Sequence, residues 1–421
     1  MTADARLARR LGTFDAVVIG LGSMIGAGIF AVFAPAAAAA GPWLIVGLAA
    51  AAAVAFCNAT SSAQLAAQYP ESGGTYVYGR ERLGEWPGFL AGWCFVIGKS
   101  ASCAAMALTF ASYAAPAEWH KPLAIAAVVL LAVLNGFGVT RTAALARMLV
   151  VIVLAVLGLV AVGGTIAAGS GSTPFTAPFA APETVTAYGV LQSAGLLFFA
   201  FAGYARIATM GEEVRDPART IPRAIVIALS IALVVYLAIA VVTLSALGPV
   251  ALGESTAPLV DVLRASGWTW AVPVVGVGAA AASLGALLAL VAGIGRTTLA
   301  MARTGDLPRF LAAVHPRYRV PRRAELALAV AVSLVILAVD VRAAIGFSSF
   351  GVLLYYAVAN VAALTQTSEH RRYPRIVGAA GVLGCAVLVA TLPPTSIVAG
   401  LVTVAIGVGY RVIVRRADSV R

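Results

Sequence analysis

Gly20-Leu-Gly-Ser-Met-Ile-Gly-Ala-Gly-Ile-Phe30 is the stretch on which the fold of this chain turns. It lies inside the first apolar segment, yet glycine occupies positions 20, 22, 26 and 28. Each glycine costs about 1 kcal/mol against alanine in a helix interior, so this density reads as a helix that unwinds. A close helix contact of the small-xxx-small kind, Gly22 to Gly26, is the alternative. The sixth apolar segment is interrupted in a similar way at Phe198-Phe-Ala-Phe-Ala-Gly-Tyr204. Unpaired backbone is tolerated in hydrocarbon only where it is buried in protein or lines a cavity. Interruptions at matching places in two halves therefore point to a central site between them.

The composition makes these segments membrane helices. Of 421 residues, 61% are hydrophobic and 11% charged, whereas a soluble domain carries about a quarter charged residues. Apolar runs of about 20 residues recur along the chain. They predict twelve transmembrane helices, at 13–38, 42–66, 86–115, 121–138, 144–168, 186–211, 222–246, 268–300, 323–340, 342–365, 374–391 and 394–413. The fold class is thus an all-α polytopic membrane protein forming a single transmembrane domain over 1–421. Span eight is long enough to require tilt, and 77–86 reads as a short interfacial helix.

The net charge is +12, and all basic residues except Lys99 and Lys121 are arginines. They alternate with the spans. The N-terminus and the connections after even-numbered spans hold most of them, among them Arg80 and Arg82, Arg215, Arg219 and Arg223, Arg303 to Arg323, and Arg371 to Arg375. The other side has Lys121, Arg264 and Arg342. By the positive-inside rule this places both termini in the cytoplasm, in the cytoplasmic (inner) membrane. Topology accounts for the basic balance, and a nucleic-acid partner is not expected.

The breaks also suggest a ligand. A helix that restarts in mid-membrane presents N–H donors and a positive dipole end, which suit a carboxylate. A helix that stops there presents carbonyls, which suit an ammonium group. Both together fit a zwitterion, so an α-amino acid is the expected ligand. Phe199, Phe201 and Tyr204 read as lining or gate. No cofactor or metal is expected: Cys57, Cys94, Cys103 and Cys385 sit singly in apolar spans, with no metal spacing. Catalysis is disfavoured because HExxH, paired intramembrane aspartates and clustered histidines are absent from the sequence. Gly98-Lys-Ser100 lacks the phosphate-loop spacing, and Gly20-x-Gly22-x-x-x-Gly26 lacks the strand a dinucleotide site needs. A membrane enzyme or a channel is the rival reading.

Three stretches carry a family resemblance: Gly22-Ser-Met-Ile-Gly-Ala-Gly-Ile-Phe30, Tyr69-Pro-Glu-Ser-Gly-Gly-Thr-Tyr76, and Phe198 through Ile221, with its Glu212-Glu213-Val-Arg215-Asp216-Pro217 end. The chain resembles the amino acid–polyamine–organocation superfamily, and within it the shorter bacterial form of the cationic amino acid transporter branch. The resemblance implies a LeuT-like 5+5 inverted repeat, over about 13–168 and 186–365, with two extra helices at about 374–413. It implies substrate between spans 1, 3, 6 and 8. The carboxylate falls near Ser23, Met24, Gly26, Ala27 and Gly28, and the amine near the carbonyls of Phe199, Ala200 and Ala202. The implied activity is secondary active transport by alternating access, with an uncoupled exchanger or facilitator as the variant.

Two departures bear on the substrate and the ion. Where many relatives carry an acid past the span-six break, this chain has Ala205 and then Arg206, which favours a neutral over a cationic substrate. Where proton-coupled relatives place a span-five lysine, it has Val153. Lys99, deep in span three, is an intramembrane ionisable residue and a functional candidate by default. It reads either as a coupling cation in place of that lysine or as a fixed structural cation. The coupling ion is then a proton, with sodium as the alternative, for which Ser283 is the available span-eight hydroxyl. Arg206 reads either as a partner of a substrate carboxylate or, from its position near the cytoplasmic half, as a gate brace, and Asp15, Glu212, Glu213, Arg215 and Asp216 as a cytoplasmic ion-pair cluster.

Overall fold

The structure, a computed structural model, describes residues 11–69, 73–137, 143–170, 185–208, 210, 214–318 and 320–419. Within these the secondary structure is helical, apart from one isolated bridge between Leu11 and Val214. A chain whose surroundings are hydrocarbon has to satisfy its own backbone, and helices do so locally.

The first predicted span is three helices in line, α1 (Thr13–Met24), α2 (Ala27–Ala31) and α3 (Phe33–Ala40). Gly41 then turns the chain at φ 54, ψ −133, open to glycine and strained for other residues, and α4 (Leu44–Gln68) returns. The expected interfacial helix is α5 (Thr75–Leu83), followed by α6 (Glu85–Ala114), α7 (His120–Gly136) and α8 (Ala143–Ser170). Span six comprises α9 (Ala187–Phe201), a 3-10 turn (Ala202–Tyr204) and α10 (Ala205–Ala208). Next come α11 (Pro217–Glu254), broken at Gly248 (φ 73) just before Pro249, and α12 (Pro258–Ala265). The rest are α13 (Val272–Arg303), α14 (Arg322–Ala338), α15 (Val341–Leu364), α16 (Arg375–Thr391) and α17 (Pro394–Ser419).

Among the described residues, ten helical stretches are long and apolar enough to cross a membrane. Helices α14 and α16 have 17 residues each, at the short limit for a span. Each lies where the sequence predicts a span, but their length alone does not make twelve crossings.

Burial separates the centre from the rim. In α6, 83% of the apolar window is buried inside the protein, against 17% in α17. The lipid side shows Val151, Val234, Val330, Leu383 and Ile413 largely exposed. The centre is held by close backbone approach. Gly98 of α6 faces Gly351 of α15, where a Cβ on Gly351 would lie 2.8 Å from the Gly98 Cα and the Cys94 carbonyl. One turn on, the Ser102 and Ser348 hydroxyls meet at 2.6 Å. Asn360 of α15 donates to Asn58 of α4 at 2.6 Å, and the Cys385 thiol packs against the same oxygen at 3.3 Å. Cys94, Cys103 and Cys385 are buried, Cys57 half-buried, and all four are free thiols.

The Gly98–Gly351 crossing leaves no room for a side chain. Gly351→Val should destabilise the protein by about 1–3 kcal/mol, the usual cost of overpacking. Thermal unfolding of the purified protein in detergent reads this directly, and an unchanged midpoint would show slack at the crossing.

Candidate substrate site

The first break is as the glycine pattern predicts. Helix α1 stops at Met24 because Ile25 (φ −79, ψ 39) and Gly26 (φ −86, ψ −145) leave helical geometry. Helix α2 restarts at Ala27 and runs through Val32, itself in helical geometry, into α3. The alternative reading is also met in part, since Gly26 is a close contact: a Cβ there would lie 2.9 Å from the Ala286 Cβ on α13.

The second break differs from expectation. Span six does not unwind at Phe199 to Gly203; it tightens into one 3-10 turn at Ala202–Tyr204 and continues as helix. Four-residue α10 is all that is described of the second half-helix expected to reach Gly211. The reason is contact with the first break. A Cβ on Gly203 would lie 2.6 Å from the Met24 N, and one on Gly28 2.9 Å from the Ala200 Cα. The backbones touch, and a 3-10 turn keeps more hydrogen bonds than an open loop in that space.

The carbonyls released by the breaks have donors. The Tyr236 hydroxyl on α11 lies 2.6 Å from the Met24 carbonyl and 2.9 Å from that of Ala200. Lys99, only 4% exposed on α6, donates from Nζ to the Ala202 carbonyl at 3.1 Å. The Tyr356 hydroxyl on α15 donates to the same oxygen at 3.4 Å. Two of the three carbonyls expected to hold an amine, Ala200 and Ala202, are thus already bound to side chains.

Beside these contacts lies a cavity of about 100 Å³, lined by α1, α6, span six and α13. At roughly 10–15 Å³ per water, it has room for a small solute. It is placed between spans 1, 3, 6 and 8. Of the expected residues, Ser23, Lys99, Phe199, Ala202 and Arg206 are in its lining. Met24, Gly26, Ala27, Gly28 and Ala200 are buried and are not among the lining residues. Phe201 is outside the lining too, fully buried and edge-on to the Tyr236 ring at 5.0 Å. Ser283 is buried in α13 and is not in the lining.

Three cations, Lys99, Arg206 and Arg296, line the cavity, and no carboxylate is among its described lining residues. It reaches the arginine-rich side, where Gly73, Arg206, Arg296 and Thr297 border it. On the other side the Tyr113 hydroxyl donates to the Phe30 carbonyl at 2.9 Å and accepts from the Leu259 N–H at 3.4 Å, with the Phe30 and Tyr113 rings edge to face. These contacts tie α2, α6 and α12 together.

The expected ion-pair cluster is dispersed as far as it is described. Asp15 caps its own helix, accepting from the Gly12 N–H at 3.3 Å. Arg215 donates its backbone N–H to the Leu11 carbonyl, and Asp216 lies 3.8 Å from Arg219. Glu212 and Glu213 lie outside the described residues.

Sequence reading missed Tyr236, Tyr356 and Arg296. The tyrosines carried a usable signal: a hydroxyl in mid-span requires an acceptor, and helix breaks supply carbonyls.

The amino acid permease family model matches residues 11–412. The chain belongs to this family. It is 56% identical to an uncharacterised transporter of Mycobacterium tuberculosis, over 98% of this chain and 93% of that one. It is 26% identical to the branched-chain amino acid permease BcaP of Bacillus subtilis, over 76% of this chain and 72% of that one. It is 28% identical to the chloroplastic cationic amino acid transporter 6 of Arabidopsis thaliana, over 84% and 65%. These relatives are named as transporters and permeases, not as enzymes, and the chain is a multi-pass membrane protein of the amino acid transporter class.

Tyr236→Phe leaves the Met24 and Ala200 carbonyls without that donor. It should cost about 1–3 kcal/mol, the range for a buried group left unpaired, seen as a fall in thermal midpoint. A variant as stable as the parent would show that this hydroxyl does not hold the breaks.

Proposed function

We propose that the protein moves a small α-amino acid with an uncharged side chain across the cytoplasmic membrane by alternating access, driven by a proton. The observation that carries the substrate class is Lys99, a buried ammonium in the cavity lining whose acceptor is the neutral Ala202 carbonyl. A cationic side chain about 4 Å from it would meet roughly 4 kcal/mol of repulsion at an effective dielectric near 20, close to a thousandfold in affinity. The naming of BcaP as a branched-chain permease supports a neutral substrate. The same ammonium favours a second reading, an acidic side chain.

In this reading the substrate carboxylate meets the backbone N–H groups opened at Gly26, Ala27 and Gly28, beside Ser23. With the Ala200 and Ala202 carbonyls already engaged, the ammonium group turns to the Phe199 region of the wall. Rearrangement of the wall around substrate is part of the cycle, since Met24, Gly26, Ala27 and Gly28 are not in the present lining. Phe199 serves as the aromatic lid, and Arg206 borders the exit. Twelve spans in a 5+5 inverted repeat with two added helices accommodate the first and sixth breaks as equivalent places. With the arginine-rich side cytoplasmic, both termini are cytoplasmic and the cavity faces inward.

Lys99 is proposed as the coupling residue. Protonated, it ties α6 to the span-six turn through the Ala202 carbonyl; losing its proton weakens a charge-assisted bond to an ordinary one and loosens the tie. Sodium in place of the proton is the alternative coupling ion, and an uncoupled exchanger the alternative mode.

Uptake into proteoliposomes of labelled amino acids, under a proton or a sodium gradient, is the test. Neutral amino acids should accumulate with the proton gradient, with lysine and arginine competing at least about a hundredfold more weakly. Competition by aspartate matching that of leucine would favour the acidic reading, and accumulation of lysine would reject both. Lys99→Met should abolish proton-driven accumulation while leaving counterflow exchange measurable. Retained accumulation rejects the coupling role, and loss of exchange as well points to a fixed structural cation.

A further inference from the structure

Away from the central cavity, a second pocket of about 210 Å³ lies at the arginine-rich end, against α17. Arg80 of α5, Glu85 at the start of α6, Asp306 after α13, and Arg411 and Arg415 of α17 wall it. Three guanidinium groups face two carboxylates, leaving one positive charge in excess.

Arg411 is the decisive member. It is 2% exposed, with its guanidinium 4.5 Å from the Phe89 ring centroid and 4.8 Å from that of Trp86. Its Nη1 is 2.9 Å from the Asp306 Oδ1, but Nε, Nη1 and Nη2 all lack an aligned hydrogen-bond acceptor among the described residues. The other carboxylate oxygen, Oδ2, takes donors from Arg80 at 2.9 Å and from the Tyr76 hydroxyl at 2.8 Å, so Asp306 is shared among three partners. Burial pushes the Tyr76 phenol up from its ordinary pKa, so it stays a donor. Glu85 is half exposed and shared: it stands 3.7 Å from Arg80, 3.7 Å from Arg411, and in contact with Arg415. A buried guanidinium with five N–H donors and no aligned acceptor is costly. Such donors suit a compact, multiply oxygenated anion.

The surroundings indicate which one. Trp86 is partly exposed at the rim, as aromatic side chains are at a membrane interface. Ile406 and Ile413 on α17 are 60% and 69% exposed and mark the lipid-facing side of that helix, turned away from Arg411 and Arg415. We propose that this pocket binds the phosphate headgroup of an anionic phospholipid, entering past Trp86 at the rim. Guanidinium groups bind phosphate oxygens in paired hydrogen bonds, and basic pockets at this depth suit anionic headgroups. The proposal rests on the pocket alone and stands apart from the transport reading.

Native mass spectrometry of the purified full-length protein, titrated with defined lipids, tests it. Phosphatidylglycerol should bind about tenfold tighter than phosphatidylcholine. Arg415→Ala, at a half-exposed position, should weaken phosphatidylglycerol about tenfold, the effect of losing one charge-assisted contact. Glu85→Gln removes a competing carboxylate and should tighten binding, a change of opposite sign that misfolding does not produce. Equal affinity for the two lipids, or no response to either substitution, overturns the proposal. Displacement of bound phosphatidylglycerol by millimolar inorganic phosphate overturns the lipid as occupant and assigns the pocket to a soluble phosphate.

Discussion

A carbonyl released inside a membrane has to find a donor, and much of the centre of this protein is an answer to that constraint. Breaking two helices at mid-membrane frees backbone groups that no water reaches, each worth several kcal/mol if left alone. The carbonyls of Met24, Ala200 and Ala202 are served by Tyr236, Lys99 and Tyr356, from three other helices. The breaks are therefore load points, where α6, α11 and α15 are fastened to the two interrupted spans. Helix α6 is placed to do this because Gly98 lets it approach α15 to backbone contact, and the next residue, Lys99, then points to span six.

The same geometry brings a cation to the edge of the cavity. A lysine buried to brace one carbonyl remains at the edge of the space the breaks create, and Arg206 and Arg296 join it from α10 and α13.

Much of the fold was legible in the sequence because membrane spans are coarse objects. Apolar runs near 20 residues, arginine-rich connections and turn glycines mark the helices, and the observed elements lie where those marks are. For α14 and α16, of 17 residues each, length is a weak signal. The break in span one was legible because glycine is costly in a helix; the form of the span-six break was not, since it depends on Gly203 meeting the Met24 backbone, a long-range contact no local pattern encodes. Site residues follow the same division. Ser23, Lys99, Phe199, Ala202 and Arg206 line the cavity, while Phe201 has its ring turned to Tyr236 and Asp15 caps a helix. Which face of a helix looks inward is set by neighbours hundreds of positions away.

The Tyr236 hydroxyl has a single hydrogen and two carbonyls within reach, Met24 at 2.6 Å and Ala200 at 2.9 Å. It can serve only one at a time. The joint between the interrupted spans therefore behaves as a swivel: the proton can pass from one oxygen to the other by a rotation of the C–O bond, so the spans can shift against each other while the hydroxyl keeps an acceptor throughout.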